Sequence, residues 1–233
     1  MKKIAIMQPY FLPYIGYFQI VAAVDIFVFY DDVNFIKGGW INRNKIIIND
    51  KPHFITVPLQ NASSNKLITD TLVKKNQRQF LSLEKKIEQR YKKAPYFSSV
   101  FPLILKVLRG DYKTISELSI SSIKTIAGYL CITTEFVTSS ERFSDTKDYY
   151  RGERLSKICH QLSAKTYINA VGGQHLYDKK EFAERGIQLQ FLKSEIINDN
   201  DIHSGLINMS ILHLLMYKSV SEVKELLGLY QLI

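Results

Sequence analysis

The chain has 233 residues, 46% of them hydrophobic and 12% aromatic, which is enough apolar material for a substantial core and excludes a disordered or low-complexity protein. A formal charge of +9 admits an anionic small molecule, a nucleic acid or an anionic membrane surface as partner. The two cysteines, Cys131 and Cys159, lack CxxC spacing and exclude a disulfide framework, and no stretch approaches the roughly 20 uninterrupted apolar residues that span a bilayer.

The segment "KKIAIM" predicts a short first strand. The apolar run behind Lys2 and Lys3 resembles an export signal only superficially, because Gln8, Pro9 and Pro13 interrupt it before any small-residue cleavage site. With reduced cysteines, this predicts a cytoplasmic location. A Pro-containing loop leads to "IGYFQIVAAV", whose apolar spacing suits a helix, and then to "DIFVFYDDV", a buried strand ending in two acids. Strand, loop, helix and strand within about 30 residues have the size of a βαβ unit. The runs "NRNKIIIN" and "HFITVPL" predict a hairpin with "NDKP" as its turn.

Three amphipathic helices follow, in "NQRQFLSLEKKIEQRYKK", "FSSVFPLILKVLRG" and "TISELSISSIKTIAGYLC". The second half alternates "TEFVTSS", "RGERLSKICHQLSA", "KTYINAV", "LYDKKEFAERG" and "IQLQFLK" as strand, helix, strand, helix and strand, and "NMSILHLLMYKSVSEVKELLG" predicts one closing helix. This pattern predicts a single α/β domain, 1–233, with a mainly parallel Rossmann-like sheet, helices on both faces and a helical insertion around 76–129 between the halves of the sheet. Strand one, near 3–8, is expected at the centre with strand two, near 25–30, beside it. The lysines and arginines concentrate at 74–78, 85–93 and 179–185, where they read as solvated helix faces. No nucleic-acid-binding signature accompanies them, so nucleic acid is not expected as a partner.

In an open parallel sheet, ligands sit beyond the carboxyl ends of the strands at a switch point. The first such loop holds Gln8, Tyr10, Tyr14, Gly16 and Tyr17. Gln8 both donates and accepts, the prolines stiffen the loop, and Gly16 opens the helix to a phosphate. A hydrophobic loop folded over the sheet explains the same residues. Strand two runs into Asp31, Asp32, Lys37, Trp40, Asn42, Arg43 and Asn44. Paired acids suit Mg²⁺ or an amine, Lys37 and Arg43 suit phosphates, and Trp40 suits stacking on a sugar or base. A third wall is "NAVGGQHLY", with Asn169, Gly172, Gly173, Gln174, His175 and Tyr177, although a simple turn also accounts for its Gly-Gly. If the first two strands are parallel neighbours, Gln8, Asp32, Lys37 and Arg43 converge, the carboxylate orienting an amine or taking its proton and the cations holding a diphosphate. His53 and His160 read as structural or surface residues and His203 as a loop residue. No spacing of His, Cys and acids makes a zinc site.

The stretches "QPYFLPYIGYF", "DIFVFYDDVNFIKGGWINRNKI", "FITVPL", "YKKAPYF" and "NMSILHLLMY" together resemble the WbqC-like proteins, found among bacterial surface-polysaccharide genes. The resemblance covers nearly the whole chain, and Gln8, Pro9, Pro13, Gly16, Tyr17, Asp31, Asp32, Lys37, Asn42 and Arg43 fall on its motif positions. The family's late motif usually has an acid where this chain has His213. The resemblance implies a tailoring enzyme of O-antigen-type synthesis, a transferase or ATP-dependent amide ligase joining an acyl or aminoacyl group to a nucleotide-linked amino sugar. Asp32, Asp31, Gln8 and Tyr17 are then the catalytic candidates, and ATP with Mg²⁺ is a candidate cofactor. A non-catalytic scaffold component is the alternative. The expected partners are that sugar, a small acyl or amino-acid donor and a second copy of the chain, without membrane insertion. A more distant likeness is to HIGH-type nucleotidyltransferase-like (HUP) folds such as pantothenate synthetase, in which Gly16-Tyr17 takes the Gly-His place. A tyrosine lacks the cationic form with which histidine binds phosphate.

Overall fold

A computed structural model describes residues 1–49, 51–196 and 209–233, so His203 lies outside the described residues. The first strand, β1 (Lys3–Met7), and the second, β2 (Ile26–Phe29), pair in parallel from Ile4 opposite Ile26 to Met7 opposite Phe29, with α1 (Ile15–Ala22) as their crossover. Both strands are nearly continuous apolar runs because both of their faces are covered. Ala5, Phe27 and Phe29 join the core under α1, while Ile4, Ile6, Ile26 and Val28 belong to the core on the other face.

A hairpin of β3 (Arg43–Ile48) and β4 (Lys51–Thr56) stands apart from the main sheet. Ile48 faces Lys51, so Lys51 and Pro52 belong to the strand and not to the turn expected from "NDKP". Asn49 opens the turn at φ +49°, a left-handed conformation that asparagine tolerates. Three helices then cover the α1 face: α2 (Gln77–Tyr91), α3 (Phe97–Leu108) and α4 (Ile115–Tyr129), the last started by a capping box between Thr114 and Glu117.

The chain returns to the sheet with β5 (Glu135–Thr138), parallel to β2, followed by the short α5 (Ser139–Arg142) and by α6 (Arg151–Gln161). Next come β6 (Thr166–Ala170) beside β1, a 3₁₀ segment at Val171–Leu176, α7 (Lys179–Glu184) and β7 (Gln188–Ser194). The strand order is β5-β2-β1-β6-β7, then β8 (Tyr230–Leu232), which is antiparallel to β7. The five parallel strands thus run third, second, first, fourth, fifth in chain order. This doubly wound α/β order reverses between β1 and β6, and the opening at the carboxyl ends of those two strands is where such sheets take ligands.

The architecture agrees with the expected mostly parallel α/β sheet, with β1 central and β2 beside it. The closing helix does not form as one piece. It divides into α8 (Ile211–Tyr217) and α9 (Val220–Leu227), because Lys218 is extended and Ser219 caps α9 in a box with Glu222. Among the described residues no helix is long and apolar enough to cross a membrane.

Cys131 is exposed, whereas Cys159 lies fully buried in α6, and burial pushes its thiol up to about 12. A thiol reagent at neutral pH should therefore modify Cys131 in the native protein and Cys159 only after denaturation, read as rapid and denaturant-dependent phases of thiol release.

Candidate functional site

The loop after β1 is shaped by bonds from distant elements. Asn44 on β3 donates its amide to the carbonyls of Phe11 (3.2 Å) and Leu12 (2.8 Å), and Ser210 donates its hydroxyl to Leu12 O at 2.8 Å. Leu12 N–H reaches the Ser122 hydroxyl at 3.2 Å, and Phe11 N–H reaches Trp40 O at 3.0 Å. These bonds satisfy a buried loop and hold Leu12 at φ +44°. The Tyr17 hydroxyl donates to Gln8 O at 3.0 Å, which fixes the end of β1 against α1. Gly16 has no room for a side chain: a Cβ there would stand 2.7 Å from the Tyr14 ring, so that ring, and not an open approach for a phosphate, occupies the space.

Asp31 and Asp32 are buried, 2% and 5% exposed. Asp31 accepts from the hydroxyls of Ser116 (2.7 Å), Ser140 (3.1 Å) and Ser139 (3.3 Å) and from the Ser140 N–H (3.1 Å). Asp32 accepts from the Ser139 hydroxyl at 2.5 Å and from Arg154 Nη2 at 2.6 Å. Arg154, itself buried, also donates to Thr146 Oγ1 (3.1 Å) and Tyr30 OH (3.2 Å), with its guanidinium 4.8 Å from the Tyr30 ring centre. Burial works against the Arg154 charge, yet the bonds to Asp32 and Tyr30 leave its pKa raised.

Beyond this cluster lies the switch point between β1 and β6. Side chains alternate along a strand, so Gln8 follows Ile4 and Ile6, and Asn169 follows Tyr167, onto the face that carries Tyr30 and Tyr177. Burial raises the Tyr177 phenol, Tyr30 raises it further, and the charge of Arg151 lowers it, so both lie within electrostatic reach of Tyr177. Arg151 opens α6 in a left-handed conformation, φ +44°, and is exposed. Among the described residues the side chains of Gln8, Tyr177 and Arg151 make no hydrogen bond, and Asn169 uses only its oxygen, toward Ala170 N at 2.7 Å. Tyr10 and Tyr14 make none either; they lie with Tyr17 around the loop, and burial beside Tyr14 pushes the Tyr10 phenol up to about 12.

Other expected residues go elsewhere. Arg43 donates to the carbonyls of Gly38 and Gly39 and lies 4.2 Å from the Phe54 ring centre, so it braces the 36–39 turn. Asn42 donates to Val57 O at 3.0 Å. Lys37 and Trp40 are exposed on the same turn and hairpin. Gln174 and His175 line an open cleft with Tyr177, Asp178, Lys179, Glu181 and Phe191, on the β7 side of β6, so Tyr177 stands between that cleft and the Tyr30 face. Gly173 packs against Asn169, where a Cβ would stand 3.1 Å from Nδ2, while nothing stands near Gly172.

The WbqC-like protein family matches residues 8–225, nearly the whole length of the chain. The chain belongs to the WbqC-like protein family. A relative from Mycobacterium tuberculosis (strain ATCC 25618 / H37Rv), described as the uncharacterized protein Rv1507c, is 30% identical over 192 residues, which is 81% of each chain. No solved structure matches.

For a WbqC-like chain, paired aspartates after β2 invite a Mg²⁺ site, and the donor set does not fit one. The hydroxyls of three serines, one backbone N–H and Arg154 already engage the carboxylates, and among the described residues no three His, Cys, Asp or Glu side chains gather. Tyr30, Arg151 and Arg154 were not among the expected site residues. Nothing local in "RGERL" separates the exposed Arg151 from the buried Arg154.

Removing one partner of a buried pair leaves the other charge uncompensated. Arg154→Met should destabilise the fold by about 3–5 kcal/mol in urea unfolding, and Arg154→Met with Asp32→Asn should recover a large part of that loss.

Proposed function

We propose that the crevice at the carboxyl ends of β1 and β6 binds a nucleotide-linked amino sugar and that the chain joins an acyl or aminoacyl group to its amine. One observation carries this reading. The side chains of Gln8 and Tyr177 and the Asn169 amide nitrogen make no hydrogen bond among the described residues, and Gln8 and Asn169 stand at the carboxyl ends of β1 and β6, the two strands that flank the switch point of the doubly wound sheet. The surface-polysaccharide setting of the resembling family supplies the substrate class.

Arg151, at the start of α6, is the cation placed to hold a diphosphate, with the helix N–H groups behind it. Gln8, Asn169 and Tyr177 offer donors and acceptors for sugar hydroxyls and for the amine. In the transfer, the amine nitrogen attacks the acyl carbonyl carbon, an amide C–N bond forms, the bond to the acyl leaving group breaks with its electron pair going to that group, and the proton lost from the nitrogen passes through water to the departing group. Asp32 acts through Arg154 in this reading, as a fixed charge that positions Arg154 and Tyr30. A second reading, a binding component without catalysis, draws on the engagement of both carboxylates by internal partners.

The test is thermal shift and mass spectrometry with dTDP- and UDP-linked amino sugars, with acyl donors, and with or without ATP. A nucleotide sugar at ~100 times its dissociation constant should add ~2.7 kcal/mol of stability. Arg151→Ala should weaken binding about tenfold, the worth of one charge-assisted hydrogen bond. No shift with any nucleotide sugar overturns the proposal, and binding without an amide product selects the second reading.

A further inference from the structure

The hairpin and the turn before it carry exposed apolar side chains that the fold does not use. Ile36 is 50% exposed, Phe54 40% and Trp40 37%. The Trp40 and Phe54 rings lie 6.4 Å apart, and Ile36 belongs to the turn just before Trp40, where Gly39 N–H is bonded to Ile36 O at 3.0 Å. Cations surround the rings. Lys45 Nζ is 5.3 Å from the Phe54 centre and 5.6 Å from the Trp40 centre, and Lys86 reaches across from α2 to donate to Phe54 O at 2.9 Å. Lys37 is exposed beside Ile36. Between Val33 and Val57 the sequence holds Lys37, Arg43, Lys45 and Lys51 against the single acid Asp50, a sum of +3.

We propose that this face docks on an anionic phospholipid surface. Apolar tips ringed by lysines are complementary to the boundary between headgroups and acyl chains, where aromatic side chains partition and basic residues meet lipid phosphates. The aliphatic Ile36 at the tip favours lipid over nucleic acid, since nucleic-acid surfaces reward stacking and charge and offer an aliphatic side chain little. Docking needs no spanning helix: the side chains enter only the interface. Nothing in this inference depends on the chemistry proposed for the crevice.

The chain contains one tryptophan, Trp40, so the proposed surface reports on itself. Trp40 emission and co-sedimentation are measured with vesicles of phosphatidylcholine and with vesicles of equal parts phosphatidylcholine and phosphatidylglycerol. Binding and a blue shift are expected only with the anionic vesicles, and both should fade with added salt. Lys37→Ala and Lys45→Ala should each weaken partition about fivefold. Ile36→Asp should remove the blue shift while its circular dichroism stays that of the parent. Unchanged emission with anionic vesicles overturns the proposal. So does a response to a single-stranded oligonucleotide without vesicle binding, or vesicle binding indifferent to all three substitutions.

Discussion

The burial of two adjacent carboxylates at the end of β2 constrains most of this molecule. A buried carboxylate is tolerated only when hydrogen bonds or an opposite charge replace its water. Here the replacements come from three separate helices: Ser116 of α4, Ser139 and Ser140 of α5, and Arg154 of α6. Satisfying Asp31 and Asp32 therefore draws these helices onto the end of one strand. The start of α6 is carried with them, and with it Arg151 comes within electrostatic reach of Tyr177.

This arrangement explains which features the sequence made legible. The β1–α1–β2 unit could be read because strands buried on both faces are continuous apolar runs and the helix between them has its own periodicity. The loop after β1 could be placed at the carboxyl edge for the same reason. The direction of a polar side chain was not legible. Asp32 meets Arg154, 122 positions away, and nothing local in "YDDV" distinguishes a carboxylate facing a ligand from one facing an arginine. Arg43 and Asn44 are similar cases, since their partners are backbone carbonyls that only the folded loops bring near. The division of the last helix was legible in principle, because Ser219 and Glu222 stand at capping-box spacing, but the apolar stripe continues across the break.

The positive charge is distributed with the same economy. Arg154 is consumed internally, Arg43 braces a turn, Arg109 pairs with Glu84 and Arg151 lies over the Tyr150 ring, while Lys37 and Lys51 face water. The formal charge of the chain is thus a sum over different tasks, and the fraction of it open to a partner is set by the fold.

The bonds that shape the first loop span very different lengths of chain. Leu12 is tied to Asn44, 32 positions away, to Ser122, 110 away, and to Ser210, 198 away. Contacts of such separation form late, because each must close a long loop before it returns any stability. The first loop in the sequence is therefore among the last parts of the molecule to take its final shape. β1 and β2 can pair early, while the loop between them takes its final shape only when the segment around Ser210 arrives.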